Sequence, residues 1–478
     1  MTSQDNLQVP RDSLATTATD IQDADIRLYP KRFLILGLFV LLSASNALQW
    51  IEYSIITEIV AHYWQVPYDW IDWTSMIYML MYAILIFPGT WFLDRFGLRV
   101  SILIAAAGNG LGSWLKVLSV APNGFWLTFL AQTIAGASQT FILGIPSHLA
   151  ATWFGSNEVS TACAAGVFGN QLGIAIGFIL PPWLIENGSR EAVGRDLNVM
   201  FLISAVANTI IFLMIVFFFS DQPTTPPSIS AHVRAQPSEE ETGFLVDLKT
   251  LSNNYGFILL LISYGINVGV FYAISTLLSQ MISVYHHNVG TETGTIGLLM
   301  VVGGMVGSVC CGYMLDRFHK YKLITGLVYL LSVIGMLLVT FTIQMPLWMT
   351  FFTATFLGFF MTGYLPVGFE YGAELTYPAS EGTTSGLLNF FAQIFGIAMV
   401  IGMGQVIRRI SVFWCNILLS IFLFIGMGLT VLIKGELKRH NTHMSQLENA
   451  AFDNSNFATE EANSTTRTDS RTQSTNFY

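Results

Sequence analysis

Gly89-Thr90-Trp91-Phe92-Leu93-Asp94-Arg95-Phe96-Gly97-Leu98-Arg99 and Gly312-Tyr313-Met314-Leu315-Asp316-Arg317-Phe318-His319-Lys320-Tyr321-Lys322 are one short pattern written twice. Each copy holds Asp-Arg-Phe, with a glycine four or five residues before the Asp and a basic residue soon after; the second copy lacks the glycine that Gly97 supplies. From Asp94 to Asp316 the offset is 222 residues (316 − 94). A carboxylate at such a place can accept backbone N–H bonds from a nearby helix N-terminus, and the basic residues can pair with acids of a neighbouring helix. Asp94, Arg95, Arg99, Asp316 and Arg317 are therefore expected to form a latch that holds one conformation and breaks in another. A signature repeated at matching places implies a chain built of two related halves.

The flanking sequence agrees. Hydrophobic residues make up 53% and charged residues 11%, against about 25% charged in a soluble domain. Mean hydropathy is +0.57. Apolar runs long enough to cross a bilayer predict helices over 33–58, 73–93, 100–119, 125–152, 160–182 and 198–219, then over 255–284, 294–314, 322–342, 346–367, 381–406 and 412–433. The duplicated loop signature resembles the major facilitator superfamily, whose two halves rock around a central site. The expected architecture is an all-α membrane protein of that fold, with twelve transmembrane helices in two pseudo-symmetric six-helix bundles. Its parts are a disordered tail (1–32), an N-terminal bundle (33–219), a Pro- and Glu-rich linker (220–254), a C-terminal bundle (255–433) and a second disordered tail (434–478).

Charge placement sets the orientation. With the N-terminus in the cytosol, all but five of the 21 Lys and Arg lie inside; the outer five are Lys116, Arg190, Arg195, Arg408 and Arg409. Both tails and the linker are then cytosolic, and the plasma membrane is the expected location. Residues 1–30 are polar, so no cleavable leader is expected, and the first helix acts as a signal anchor. The sequon Asn187-Gly188-Ser189 falls in an outer loop and Asn187 is expected to be glycosylated. A second sequon, at Asn463, falls in the cytosolic tail and is expected to stay bare. Cys163, Cys310, Cys311 and Cys415 all lie in apolar stretches, so neither a disulfide framework nor a metal site is expected. No nucleophile–base pattern or phosphate loop points to an enzyme, and neither cofactor nor nucleic-acid partner is expected.

The same offset relates candidate site residues. Trp50 plus 222 gives Tyr272; Gln171 plus 222 gives Gln393. Each half thus contributes an aromatic and a glutamine at equivalent places, with Asn46 one turn from Trp50. Two aromatic faces attract a cation, above all a quaternary ammonium; neutral amides orient a hydroxyl. Glu52, two residues from Trp50, is expected to face away and pack on a neighbouring helix. The scarcity of central charge argues against a proton relay and for a passive uniporter; a monomer is expected. Haem is the competing substrate. Its iron and propionates favour His, Cys, Met or Tyr and Arg, yet none of the eight histidines falls at mid-membrane. His148 comes nearest, and His286 and His287 lie at an outer mouth. A transport-dead receptor or scaffold is a third reading, against which the intact repeat argues.

Ser45-Asn46-Ala47-Leu48-Gln49-Trp50-Ile51-Glu52-Tyr53-Ser54, Glu158-Val159-Ser160-Thr161-Ala162-Cys163, Gly169-Asn170-Gln171-Leu172-Gly173, Gly358-Phe359-Phe360-Met361-Thr362-Gly363-Tyr364-Leu365-Pro366 and Leu375-Thr376-Tyr377-Pro378 followed by Glu381-Gly382-Thr383 resemble the feline leukemia virus subgroup C receptor family. The resemblance covers roughly residues 30–440. It implies transport of choline and ethanolamine, with haem export as the alternative. It also implies a choline site on Trp50 and Tyr272, with Gln171, Gln393 and Asn46 nearby and Met79 and Phe271 lining the pocket.

Overall fold

The computed structural model describes residues 27–155, 158–227, 251–318, 320–376 and 381–433, without the side chains of Asp94, Ser160, Asp316, Glu381 and Gly382. The tails up to 26 and beyond 433, most of the linker and the sequon at Asn463 lie outside the described residues. Along the chain run α1 (Lys31–Ile51), α2 (Thr57–Trp64), α3 (Tyr68–Leu93), α4 (Arg95–Leu118), α5 (Phe125–Leu143), α6 (Ile145–Trp153), α7 (Val159–Leu184), α8 (Arg190–Phe218), α9 (Tyr255–Ser283), α10 (Gly290–Phe318), α11 (Tyr321–Thr342), α12 (Leu347–Thr376), α13 (Glu381–Arg409) and α14 (Val412–Leu432). Only helices cross the described part of the chain, because a bilayer offers no partner for unpaired backbone groups.

Among the described residues, eleven spans are long and apolar enough to cross a membrane. The span through α1 and α2 counts as one of them. The remaining expected span, fourth along the chain and made of α5 with α6, is shorter in each piece. It breaks at Gly144, where Pro146 has no N–H to return to Ile142. Gln132, Ser138, Gln139 and Thr140 are buried on it, which lowers its hydropathy. The first span also breaks. Helix α1 ends at Ile51, a 3₁₀ turn covers Ser54–Ile56, and α2 follows. There the hydroxyl of Ser75 on α3 donates to the Trp50 carbonyl at 3.0 Å, and that of Thr57 donates back to Ser54 O at 2.9 Å. These bonds replace the helical ladder just past Trp50. Several helices outrun their apolar runs, because a cap stops a helix where hydropathy does not. Helix α8 starts at Arg190, where the Ser189 hydroxyl accepts from Ala192 N at 3.3 Å.

The two halves are built alike. In the first, α1 packs on α7 and the α3–α4 hairpin on α5 and α8; in the second, α9 packs on α13, α10 and α11 on α12, and α11 on α14. Single contacts repeat as well. A Cβ on Gly136 would meet Tyr78 Cα at 2.9 Å, and one on Gly358 would meet Met300 O at 2.1 Å. Both residues of that contact move by 222 positions (358 − 136; 300 − 78). The halves meet through α7 against α10 and α13 against the α3–α4 hairpin, contacts that the same operation exchanges. One continuous apolar core runs through both halves, and a smaller one fills the end of the first half near Lys31. The membrane face that carries Lys31 is called the near face below, and the opposite one the far face.

Candidate functional site

The break after Ile51 sets the first wall of the site. Trp50, 4% exposed, is fixed by its indole N–H donating to Ser75 O at 3.2 Å. Across from it stands Tyr272 of α9. The two rings meet edge to face, centroids 5.4 Å apart and planes at 71°. They come from different halves. The amide of Gln393 on α13 donates to the Tyr272 hydroxyl at 3.3 Å. Met79 of α3 and the Tyr272 ring both abut Gly396: a Cβ there would lie 3.0 Å from Sδ and 2.8 Å from Cδ2. Phe271 is buried, its ring 6.2 Å from that of Tyr272.

Five of the seven expected site residues are thus brought together: Trp50, Tyr272, Gln393, Met79 and Phe271. The other two stand differently. Gln171 is half-buried, its Oε1 without a hydrogen-bond partner among the described residues. Asn46 is fully buried in the first half, where its amide donates to Asn109 Oδ1 and to Ala135 O, each at 3.0 Å. That amide nitrogen holds helices together, as buried amides in membranes often do.

On the far face the halves are tied by charge. Arg408 of α13 reaches Asp72 Oδ2 at 3.1 Å and Gln280 Oε1 at 3.3 Å, and also pairs with Asp69. Gln280 of α9 donates to Asp72 at 2.6 Å, and Gln405 of α13 to Asp69 at 3.3 Å. The Asp72 side chain is 3% exposed, so its charge is desolvated and depends on these partners. Beside this knot, Cβ atoms on Gly294 and Gly297 of α10 would collide with Phe178 of α7, at 2.3 and 2.4 Å. The far face is closed in this conformation.

On the near face, Arg95 and Arg317 are exposed. Arg99 donates its backbone N–H to Asp221 at 2.8 Å and a guanidinium N–H to Val216 O at 3.3 Å. Gly97 has φ +82°, and a Cβ there would meet Asp221 Oδ1 at 2.8 Å. The helix N-terminus of α4 is therefore capped by Asp221 from the end of α8, inside one half. The side chains of Asp94 and Asp316, the centre of the expected latch, lie outside the described residues.

The major facilitator superfamily profile matches residues 33–400. An uncharacterised MFS-type transporter of Caenorhabditis elegans is 52% identical over 421 residues, which is 88% of this chain and 72% of that protein. The choline/ethanolamine transporter flvcr2a of Danio rerio is 50% identical over 427 residues, 89% of this chain and 91% of that one. The chain belongs to the feline leukemia virus subgroup C receptor family of the major facilitator superfamily. A solved bacterial homologue of the human lysosomal transporter Spinster superposes with a TM-score of 0.66 at 13% identity, covering 85% of this chain and 98% of that one.

As a major facilitator the chain is a transporter and not an enzyme, and its polar interior has to serve movement. Two clusters were not legible as sites in the sequence. The far-face knot is one: Arg408 counted only as an outer charge, and Asp69 and Asp72 fell before the expected start of their helix. Their spacing of three, which puts both carboxylates on one helical face, was the available signal. The other is the pair Glu52 and Lys116. Lys116 Nζ donates to Glu52 Oε1 at 2.6 Å and to Gln49 Oε1 at 3.0 Å, and both charged side chains are 0% exposed. The pair joins α4 to the end of α1. It continues into a network in which Gln49 and Asn46 both reach Asn109, and Asn109 donates to Asn208 of α8 at 2.7 Å.

Proposed function

We propose that this facilitator moves choline and ethanolamine-type organic cations across the membrane by alternating access, without a coupled ion. The observation that carries the reading is the meeting of Trp50 and Tyr272, one aromatic ring from each half. A cation buried in a membrane protein loses its hydration, and ring faces within about 6 Å restore part of it without carrying a counter-charge. Gln393, held to Tyr272 by one long bond, can turn to the hydroxyl of the cargo; Gln171 and Asn46 each keep an unpartnered amide oxygen, among the described residues, that suits the same task. The names of the relatives point to the same substrates.

Uptake then follows the gradient and the membrane potential, which contributes about 2.3 kcal/mol per charge per 100 mV. Two of the three buried acids among the described residues, Glu52 and Asp72, are each bonded to a base, which supports uniport over proton coupling. We place the near face in the cytosol, with both termini, and the protein in the plasma membrane as a monomer. Asn187, exposed in the far-face loop between α7 and α8, is then accessible for glycosylation. The near-face residues Asp94, Arg95, Arg99, Asp316 and Arg317 gate the cytosolic side in the other half of the cycle.

The test is radiolabelled choline uptake in transfected cells. Trp50→Ala is expected to abolish most of the uptake at unchanged surface level. Equal uptake by wild type and variant would sink the aromatic site. Haem export is the weaker reading, since Met79 and Tyr272 are packed against Gly396 rather than presented to an iron. Cellular haem loss that depends on this chain and ignores excess choline would revive it.

A further inference from the structure

Gly396 is the point where three helices touch. It lies on α13 one turn beyond Gln393, which holds the Tyr272 hydroxyl. Its bare backbone supports the body of the same ring: a Cβ would stand 2.8 Å from Cδ2 of Tyr272 and 3.0 Å from Sδ of Met79. Real Cβ contacts need more room than that, so an added methyl has to displace the ring. The ring cannot back away with its helix. Gly265 and Gly269 of α9 already lie against Phe395, where Cβ atoms would meet it at 2.6 and 3.0 Å. The direction left is toward Trp50, which two hydrogen bonds with Ser75 hold in place at 3.2 and 3.0 Å.

The geometry points to Gly396 as a specificity-determining residue for the amine head of the cargo. Its missing side chain lets the Tyr272 ring lie further from Trp50 than a methyl would allow, room that a trimethylated ammonium needs when it parts the two rings and a primary ammonium does not. The inference rests on the amine reading above. A quaternary head makes contact through its methyl groups alone and has to fit between both ring faces. A primary ammonium donates hydrogen bonds, so it can lie against one ring and an amide. Narrowing the slot therefore penalises choline more than ethanolamine. One methyl group more or less in such a pocket is worth about 10–200-fold in discrimination.

The experiment measures choline and ethanolamine uptake side by side, at matched surface level, for wild type, Gly396→Ala, Met79→Ala and the double variant. Gly396→Ala is expected to lower the choline-to-ethanolamine ratio about tenfold or more while ethanolamine uptake persists. Met79→Ala deepens the recess from the other side and moves the ratio toward choline. The double variant makes room for the methyl and recovers most of the lost ratio. A wild type that carries both amines, with a ratio unmoved by Gly396→Ala or with both fluxes falling together, overturns the inference alone. Should Gly396→Ala not reach the surface, a Met79→Ala ratio that stays or falls overturns it equally. A wild type that carries neither amine overturns the proposed function as well.

Discussion

Lys116 shows what one residue can hide. Its charge sits inside the first half with no exposure, balanced by Glu52. Removing one partner of a buried ion pair leaves the other charge desolvated, at a cost of about 3–5 kcal/mol, whereas replacing both is close to neutral. Lys116→Met is therefore expected to lower the melting temperature of the purified protein clearly, and Glu52→Gln in the same chain to restore most of it. A double variant as unstable as the single one would mean that Lys116 acts through packing instead. In the sequence Lys116 read only as one of the outer charges, because its partner lies 64 residues earlier and no local pattern joins them. Trp50 and Tyr272 were legible for the opposite reason. Their spacing of 222 repeats that of a loop that hydropathy had already placed.

At the scale of elements, membrane helices announce themselves by length and apolarity, so their order and approximate bounds could be read directly. Their breaks could not. The end of α1 after Ile51 depends on a hydroxyl from another helix taking a carbonyl, and hydropathy is blind to a single backbone bond. The close helix pairs were equally hidden, since glycine is common in apolar runs whether or not it is pressed. Gly358 is pressed: a Cβ there would stand 2.1 Å from Met300 O on α10. Gly358→Leu is expected to part α10 from α12 and remove the protein from the cell surface, and Gly136→Leu to do the same in the first half. Gly312, with open space around it, serves as the control: Gly312→Leu should leave surface level near that of wild type. Equal loss at all three positions would separate the effect from helix packing.

Across the whole molecule, the far-face knot is the described set of charges that fastens one half to the other. Sequence could not join it, for the bonded residues are 336 and 339 positions apart. Arg408→Ala leaves the buried Asp72 without its countercharge and weakens the closed far face. A cysteine at Thr276→Cys, now buried on α9, is expected to react with a membrane-impermeant maleimide from outside about tenfold more when Arg408→Ala is added, the change that about 1.4 kcal/mol of population shift produces. Unchanged labelling would mean that the packing of Phe178 on Gly294 and Gly297 closes that face unaided. The ring-to-ring contact of Trp50 and Tyr272 has a consequence of its own. Such a contact is worth about 0.5–1.5 kcal/mol, which arriving cargo has to displace. In return the two rings of the unladen carrier close on each other. The carrier can make its return stroke empty, as net movement down a gradient demands and strict one-for-one exchange does not.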